Sequence, residues 1–412
     1  ESKNVLLVSM PFSDNSIPSI QLALLESFLK KNYVNAYSLH LYLRLVDFYK
    51  LNNYNLLINS PNDPYLSQFI FTKYTFPKHK KKNKKEFEKF YNEKIRKDTS
   101  LFSYEKYVEK TDEFFDFILK NVNWDKFSII GFSLNYGQIL PSLAISKYIK
   151  KQNPELSIVF GGSSVIDDLG INYLKNFQWI DYVISGEGEE ALLKLSYGED
   201  ERLIPNLIYR KDRKILKNEK QNYIDLNTLP YPDFSSYYQN LLNSTDENKQ
   251  YFYLYGRLPI EFSRGCFWNK CSFCNIHSYN KKYREKRIDR FVEELKFLSD
   301  NYKMLSFQVI ANTLPLNDYQ KLCREIIKLE KDFDLYIEAR AGRLKRDDYK
   351  LLKKAGFNNI QTGIETFSKN YISKMKKGVS IIDNIAALKY SKEAEIKNHY
   401  NFIINYPNEE EK

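Results

Sequence analysis

The sequence predicts an α/β protein with two domains: an open, doubly wound sheet, then a partial barrel of β/α units. Short apolar runs alternate with amphipathic stretches along much of the 412 residues, as in parallel strands covered by helices. The length exceeds what one hydrophobic core usually serves. Three of the four cysteines cluster at 266–274, directly after one apolar run. We expect domains at 1–197 and 256–412, joined by a connector at 198–255.

The first domain opens with NVLLVS at 4–9, whose uninterrupted apolar run predicts a buried parallel strand. An amphipathic helix is predicted at 18–31, with Pro18 near its start. The other strands predicted here are 35–42, 127–133, 156–162 and 181–185, and helices are predicted around 140–151 and 167–176.

Residues 43–124 form a long Tyr- and Lys-rich insertion that we predict to be helical, as in VEKTDEFFDFILKNV at 108–122. Two roles stay open for it: capping a ligand site or gripping a substrate. The connector contains a predicted hairpin at 204–217.

The second domain is predicted to contain five strands separated by Lys-rich helices, the first helix being 287–302. The predicted strands are 258–263, 305–311, 335–341, 359–365 and 399–405.

The cysteine cluster is the strongest chemical signal. Cys266, Cys271 and Cys274 lie close enough on one loop to hold a soft metal centre. Three thiolates are one short of what a four-iron cluster needs, which would leave one iron open to a small molecule. The alternative is a structural Cys3His zinc site closed by His277. A loop at the carboxyl end of a first barrel strand favours the catalytic alternative.

A second candidate site lies at the carboxyl ends of the first-domain strands, where doubly wound sheets bind ligands. Polar and glycine-rich segments follow four strands, at 9–12, 133–138, 161–164 and 185–189. Glycine lets backbone approach a large flat ligand, but it also makes tight strand–helix turns. The residues by themselves leave both explanations open.

Together these motifs resemble the cobalamin-binding radical S-adenosylmethionine (SAM) enzymes, most closely the peptide C-methyltransferases that mature ribosomally made peptides. The motifs that carry the resemblance are KNVLLVSMPF, GFSLNYGQ, VFGGSS, DYVISGEGEEAL, LNTLPYPDF, SRGCFW, NIQTGIET and NFIINYPNEE. One departure is the first cysteine gap, which has four residues where the common loop has three. The resemblance implies a Rossmann-like cobalamin domain and a (β/α)6 radical SAM barrel. Because such barrels usually have six strands, we expect either that a C-terminal part is missing here or that the last element is unusual.

The resemblance also implies roles for individual residues. Cys266, Cys271 and Cys274 would ligate a [4Fe–4S] cluster. The implied SAM contacts are Phe273, Tyr283, Arg284, Asn312, Glu338, Arg340, Gln361 and Glu365. The implied cobalamin contacts are Ser9, Met10, Pro11, Phe12, Ser133, Asn135, Tyr136, Gln138, Gly161, Gly162, Ser163, Gly186, Glu187, Gly188 and Glu189.

Three assignments have alternatives. Glu338 and Arg340 would share one face of a strand, where they either bind SAM or pair with each other. His40 is interpreted as a strand histidine and not as a cobalt ligand, because the chain lacks Asp-x-His-x-x-Gly. Cys323, in a predicted helix, is interpreted as an inert core thiol.

The function implied by the resemblance is C-methylation of an unactivated carbon in a ribosomally made peptide, with the cluster, SAM and cobalamin as cofactors. An electron donor such as a flavodoxin or ferredoxin is the implied redox partner. The alternative keeps the radical chemistry without methyl transfer, giving epimerisation, desaturation or cross-linking. A non-catalytic, zinc-bearing binding protein is a third alternative.

Composition limits the possible partners. The net charge of +11 and 33 tyrosines are compatible with nucleic-acid binding. Much of the excess charge, however, comes from Lys-rich runs such as 78–89, which are usually solvated surface. A basic surface would instead attract an acidic peptide leader. Few cysteines and no apolar run of membrane-spanning length lead us to expect a cytoplasmic enzyme.

Overall fold

The computed structural model describes residues 3–59, 66–94, 101–218, 223–276, 282–314 and 318–407. The chain divides into two compact units: Glu1–Tyr223 with Pro230–Gly256, and Ile224–Leu229 with Arg257–Lys412. Most of the segment interpreted from sequence as a connector therefore packs within the first unit.

The first unit is built on a seven-stranded sheet with the strand order β2-β1-β3-β4-β5-β6-β7. The strands are β1 Val5–Ser9, β2 Ala36–His40, β3 Ile129–Ser133, β4 Ser157–Gly161, β5 Tyr182–Ile184, β6 Leu207–Lys211 and β7 Lys214–Lys217. The first five strands pair in parallel, whereas the hairpin β6–β7 adds to the edge antiparallel. Because β1 lies between β2 and β3, the strand order reverses beside β1, where such sheets bind ligands.

Eleven helices of this unit lie within the described residues. They are α1 Ile20–Lys31, α2 Leu41–Tyr49, α3 Leu51–Ile58, α4 Leu66–Thr75, α5 Lys80–Lys94, α6 Tyr104–Asn121, α7 Ile139–Gln152, α8 Asp168–Asn176, α9 Glu189–Ser196, α10 Ser235–Leu242 and α11 Asp246–Tyr255. β1 is buried along its whole length, and its apolar side chains pack against α1 and α9. The continuous apolar run in the sequence agrees with this burial of every residue in the strand.

The insertion, which comprises α2–α6, packs on the loop that follows β1. The Phe12 ring lies 5.6 Å from Tyr54, 5.7 Å from Phe71 and 6.3 Å from Tyr49, measured between ring centroids. The Tyr54 hydroxyl also donates to the Ser13 carbonyl at 2.7 Å. The insertion therefore lies beside the carboxyl end of β1.

The second unit contains a parallel five-stranded sheet with the order β14-β13-β12-β11-β8, and a separate antiparallel pair, β9–β10. Its strands are β8 Leu258–Glu261, β9 Ser263–Arg264, β10 Arg284–Glu285, β11 Ser306–Ile310, β12 Asp334–Arg340, β13 Asn359–Gly363 and β14 Lys397–His399. Its helices among the described residues are α12 Ile288–Tyr302, α13 Tyr319–Ile327, α14 Arg346–Lys354, α15 Lys369–Lys374 and α16 Ile381–Glu393.

Side chains alternate along β12, with every second residue buried and the others half-buried. Glu338 and Arg340 lie on the half-buried face. The register places Glu338 opposite Gln361, and Gln361 opposite His399. A row of polar side chains thus crosses three strands on one face of this sheet.

The bounds predicted for the last strand were wrong. The strand was expected at 399–405, but β14 ends at His399, and one isolated bridge between Glu365 and Phe402 continues the ladder. In the described part of the chain β14 is an edge strand, so the residues after it have pairing on one side alone. Apolar residues there stay exposed: Phe402 at 51% and Ile404 at 77%.

A buried ion pair joins Lys286, the residue after β10, to Glu294 of α12. The Lys286 ammonium lies 2.8 Å from a Glu294 carboxylate oxygen, and both side chains are fully buried. Arg290 approaches the same carboxylate at 3.1 Å. Burial raises the pKa of Glu294, and Lys286 and Arg290 oppose that shift.

Replacing Lys286 with methionine is expected to destabilise the protein by about 3 kcal/mol, since it leaves a buried carboxylate with one partner fewer. Thermal unfolding followed by circular dichroism measures the loss. The double variant K286M/E294L removes both charges and should recover most of it. Unfolding of K286M at the wild-type temperature would contradict this account.

Within the described ranges, no helix combines the length and apolar character required to cross a bilayer.

Candidate functional site

The cysteine loop is closed at its base by the β9–β10 pair, in which Arg264 lies opposite Arg284. At its start, Gly265 has φ +86°, and a Cβ there would lie 2.9 Å from the Lys282 carbonyl oxygen. Any other residue would be strained at this position. The Asn312 side-chain amide donates to the Gly265 carbonyl at 2.9 Å. Asn312, predicted as a SAM contact, therefore supports the backbone beside Cys266.

The three predicted cluster ligands are half-buried and share one charged environment. The Arg340 guanidinium hydrogen-bonds the Cys271 thiol and interacts electrostatically with Cys266, while Cys271 interacts with Cys274. Burial raises the pKa of the Cys271 thiol, and Lys377 and Arg340 oppose that shift. Nearby cations favour the thiolate, which is the form that binds metal.

The alternative zinc site needs His277 as its fourth ligand, and His277 lies outside the described residues. Within those ranges, no three His, Cys, Asp or Glu side chains form a group that could hold a single metal ion.

Four hydrogen bonds, together called the strap, join the cysteine loop and Arg340 to residues 374–378, a segment that begins with the last residue of α15. Four consecutive carbonyl oxygens of this segment accept bonds from the site. The pairs are Ser272 Oγ to Lys374 at 3.0 Å, Ser272 N to Met375 at 3.0 Å, Trp268 Nε1 to Lys376 at 2.9 Å, and Arg340 to Lys377. These carbonyls belong to the last residue of α15 and the three residues after it, where no further helical turn satisfies them, and here the cysteine loop and Arg340 do so.

Trp268 is the largest contact in this strap. The Arg340 guanidinium lies over its ring, 4.6 Å from the ring centroid, and the ring also packs against Gly378. Gly378 has φ +70°, and a Cβ there would overlap the Trp268 ring. Trp268 thus uses the lengthened first gap of the cysteine motif to fasten the loop.

Replacing Trp268 with alanine should loosen the loop by about 2 kcal/mol, because a hydrogen bond and a guanidinium stack are both lost. That corresponds to about a thirtyfold larger fraction of open loops. The rate at which a chelator removes iron from reconstituted protein measures the change. Trp268→Phe keeps the ring without the N–H donor and should be intermediate. Equal iron retention in all three proteins would contradict the strap.

Three other predicted SAM residues lie near the cysteine loop. Phe273 is 37% exposed, and the Lys377 ammonium lies 5.5 Å from its ring centroid. The same ammonium contacts Glu365 at 2.8 Å, with both side chains largely buried. Tyr283 donates to Glu285 and interacts electrostatically with Cys266.

The remaining SAM candidates occupy the polar face of the sheet and the loop base. Gln361 accepts a hydrogen bond from Tyr336 at 2.7 Å. Arg284 donates to the Ile224 carbonyl at 2.7 Å. Glu338 has no hydrogen bond or ion pair with any described residue, and burial raises its pKa. The alternative in which Glu338 and Arg340 pair with each other was wrong. Arg340 instead donates a hydrogen bond to the Lys377 backbone carbonyl and another to the Cys271 thiol.

In the first unit, three of the four predicted cobalamin-binding segments are linked by side-chain hydrogen bonds. The Gln138 amide donates to Ser9 Oγ at 2.9 Å and to the Met10 carbonyl at 2.6 Å, and it accepts from Asn135 N at 3.1 Å. Ser163 donates to Asn135 Oδ1 at 3.1 Å. The carboxyl ends of β1, β3 and β4 are thereby held together.

The predicted cobalamin contacts differ in accessibility. Those with buried side chains are Ser9, Met10, Pro11, Phe12, Gln138 and Glu189. Those that are half-buried or exposed are Ser133, Asn135, Tyr136, Gly161, Gly162, Ser163, Gly186, Glu187 and Gly188. Asn206, which follows the fourth segment in sequence, donates to the Glu187 carbonyl at 3.1 Å.

Two adjacent glycines at the end of β4 serve different purposes. Gly162 has φ +103°, and a Cβ there would lie 2.6 Å from the Leu134 carbonyl oxygen, so it is needed for the turn. Gly161 requires no such conformation, and a Cβ on it would meet no atom within 4 Å. The space above Gly161 is a cradle at the carboxyl edge of the sheet, as a flat ligand needs.

His40 is the last residue of β2 and is buried. Its Nδ1 lies 3.3 Å from the Tyr42 hydroxyl, and its ring packs edge-on against Tyr237. Burial lowers the pKa of His40 to about 3. These contacts agree with its interpretation as a structural strand residue.

Sequence reasoning missed Lys377 and the strap residues Trp268 and Ser272. The lysine run KMKK at 374–377 was visible, but nothing local connects it to a loop more than 100 residues earlier. Trp268 in the lengthened gap was the available signal.

Residues 260–412 match the family model described as the Radical SAM superfamily. An uncharacterized methyltransferase of Pyrococcus horikoshii is 25% identical over 289 residues, covering 68% of this chain and 61% of the relative. The hopanoid C-3 methylase of Methylococcus capsulatus is 28% identical over 306 residues, covering 70% and 55%. The chain thus spans little more than half the length of these relatives.

Two solved structures share the fold. The cobalamin-dependent SAM radical enzyme OxsB, with aqua-cobalamin and SAM bound, superposes with a TM-score of 0.65 at 18% identity, covering 98% of this chain and 49% of OxsB. The radical SAM methyltransferase TsrM of Kitasatospora setae, with cobalamin and a [4Fe–4S] cluster bound, gives 0.64 at 15% identity, covering 98% and 69%. At these identities the likeness concerns the fold alone, and it confirms the predicted fold class. Residues 260–412 thus match the Radical SAM superfamily model, and the chain shares the fold of two solved cobalamin-dependent radical SAM enzymes.

Proposed function

We propose that this chain is the cofactor-binding part of a cobalamin-dependent radical SAM methyltransferase that methylates an unactivated carbon of a ribosomally made peptide. The observation that carries the proposal is that Arg340 lies beside Cys271 and Cys266, with Cys274 next to Cys271, in a region that matches the Radical SAM superfamily model. Relatives named as a methyltransferase and a methylase support the methyl-transfer part.

The donor set suits a [4Fe–4S] cluster. Cys266, Cys271 and Cys274 would each ligate one iron, and the fourth iron would be left for SAM. When bound, the cluster and SAM supply the one-electron chemistry that activates a carbon–hydrogen bond. The contribution of this chain is to hold the loop with its strap and to place two cations beside the thiolates.

The face of the second sheet offers groups that suit SAM. Glu338, a half-buried carboxyl without a partner among the described residues, would accept hydrogen bonds from ribose hydroxyls. The exposed ring of Phe273 would stack on the adenine. Lys377 and Glu365 would bind the charged methionine end of SAM. Lys377 would exchange the Glu365 carboxylate for the SAM carboxylate, and Glu365 would exchange the Lys377 ammonium for the SAM ammonium group.

The carboxyl edge of the first sheet suits cobalamin, which when bound supplies a transferable methyl group. The open cradle above Gly161 would accept the corrin ring. Asn135 and Ser163 border this edge with exposed polar groups. We propose that His40 does not coordinate cobalt, because its Nδ1 is engaged by Tyr42 within buried surroundings.

The peptide substrate is inferred from the resemblance of the motifs, and the net charge of +11 would favour an acidic leader. An experiment that tests the proposal is anaerobic reconstitution with iron, sulfide and hydroxocobalamin, followed by metal analysis and an optical spectrum. About four irons per chain, with corrin bands retained after desalting, are expected. A candidate peptide should then gain the mass of one methylene group.

Other outcomes assign other functions. Iron without retained corrin would favour radical modification without methyl transfer, such as epimerisation or desaturation. Zinc without iron would contradict radical chemistry and favour a zinc-bearing binding protein.

A further inference from the structure

Beside the cysteine loop, the second unit contains an open cavity of about 1010 Å³. Trp268 forms part of its lining. The other apolar lining residues are Ile372 of α15, Val379 between α15 and α16, and Ile381 and Ile382 at the start of α16. This cavity lies outside the residues assigned above to SAM.

The charge around the cavity is strongly one-sided. Lys270, Lys369 and Lys376 line it, all three are exposed, and none forms an ion pair with a described residue. Asp383 is the carboxylate of the lining, but it accepts hydrogen bonds from Ser380 N at 2.7 Å and Ser380 Oγ at 2.8 Å, at the start of α16. Three ammonium groups against one carboxylate leave the lining with net positive charge around apolar side chains, which suits an acidic partner.

Two contacts connect the cavity to one of the candidate cluster ligands: Trp268 with Arg340, and Arg340 with Cys271. The Lys270 ammonium lies 5.2 Å from the centroid of the Trp268 ring, and the Arg340 guanidinium lies 4.6 Å from the same centroid. Arg340 in turn hydrogen-bonds Cys271. The wall of the cavity is thus part of the loop that would hold the cluster.

We propose that this cavity is the docking surface for a small acidic protein that donates single electrons to the cluster. The inference rests on the proposed function, because it requires a reducible cluster at the three cysteines. In the step itself, one electron leaves the reduced partner and one electron enters the cluster. No bond forms or breaks, and no proton has to move.

A small apolar floor with a charged rim suits a weak, fast encounter better than a permanent complex. The lysines would act mainly on the association rate, which falls steeply as salt increases.

The test uses the reconstituted full chain and a reduced flavodoxin as the acidic donor. Stopped-flow absorbance measures the rate of cluster reduction in the wild type and in the double variant K270E/K369E. The control variant K321E/K389E carries the same charge change at two exposed positions on α13 and α16 that do not line the cavity. Dithionite, a small reductant, is used in parallel.

At low ionic strength, K270E/K369E should be reduced by flavodoxin about tenfold more slowly, and the difference should shrink at high salt. The control variant should behave as the wild type, and dithionite should reduce all three equally.

Equal flavodoxin rates in the wild type and K270E/K369E, with normal dithionite reduction, would overturn the docking surface alone. An equal slowing in the control variant would overturn it as well, because net charge and not this cavity would then set the rate. If K270E/K369E lost affinity for an acidic peptide but kept its flavodoxin rate, the cavity would be a peptide site. A wild-type chain with no reducible iron would overturn the proposed function and this inference together.

Discussion

Replacing Cys271 with alanine is expected to remove nearly all of the iron that the reconstituted chain holds. Cys271 is the thiol that Arg340 hydrogen-bonds, and it interacts electrostatically with Cys274. Two cysteines would remain, and two thiolates leave half of a four-iron cluster without protein ligands. Iron per chain should fall from about four to below one, together with the broad absorbance of the cluster.

The matched control is Cys323→Ala. Cys323 is buried in α13, and burial raises the pKa of its thiol to about 12, so it is an inert core residue. This variant should keep the iron of the wild type at a modest cost in stability. Loss of iron from C323A but not from C271A would contradict the ligand assignment.

The second large effect is expected at Gly161. A Cβ at this position would meet no atom within 4 Å, so a valine side chain would occupy open space. Valine also suits the end of a strand. The protein should therefore fold normally, while corrin retained after reconstitution falls at least about tenfold, the equivalent of 1.4 kcal/mol. Absorbance of the desalted protein measures the loss, and Gly161→Ala should be intermediate.

Gly162→Ala separates loss of ligand from loss of fold. It forces an unfavourable φ and a clash with Leu134, so it should lower the unfolding temperature whether or not corrin is present. If G161V kept its corrin, the ligand would not lie over β4. If G161V lost its fold, the space above Gly161 would not be open.

Much of the fold could be predicted because its signals are local. The run at 4–9 became β1 at Val5–Ser9, and the run at 305–311 became β11 at Ser306–Ile310. Apolar runs of this length have no stable alternative to burial between layers of helices. The final strand was misplaced because its bounds depend on neighbouring strands and not on its own composition.

The candidate sites, too, were predicted in part from the sequence and determined in part by the tertiary structure. The cysteines, the glycine turns and the polar ends of the strands are types of residue at particular spacings, and the sequence alone determines these. How those residues are held was decided by the tertiary structure. Ser272 and Trp268 bind carbonyls about 100 residues later in the chain, at 374–376. The same packing brings Arg340 to Cys271. Spacing along a chain determines which groups are available, but hydrogen bonds between distant segments form only where the packing of helices on strands brings those segments together.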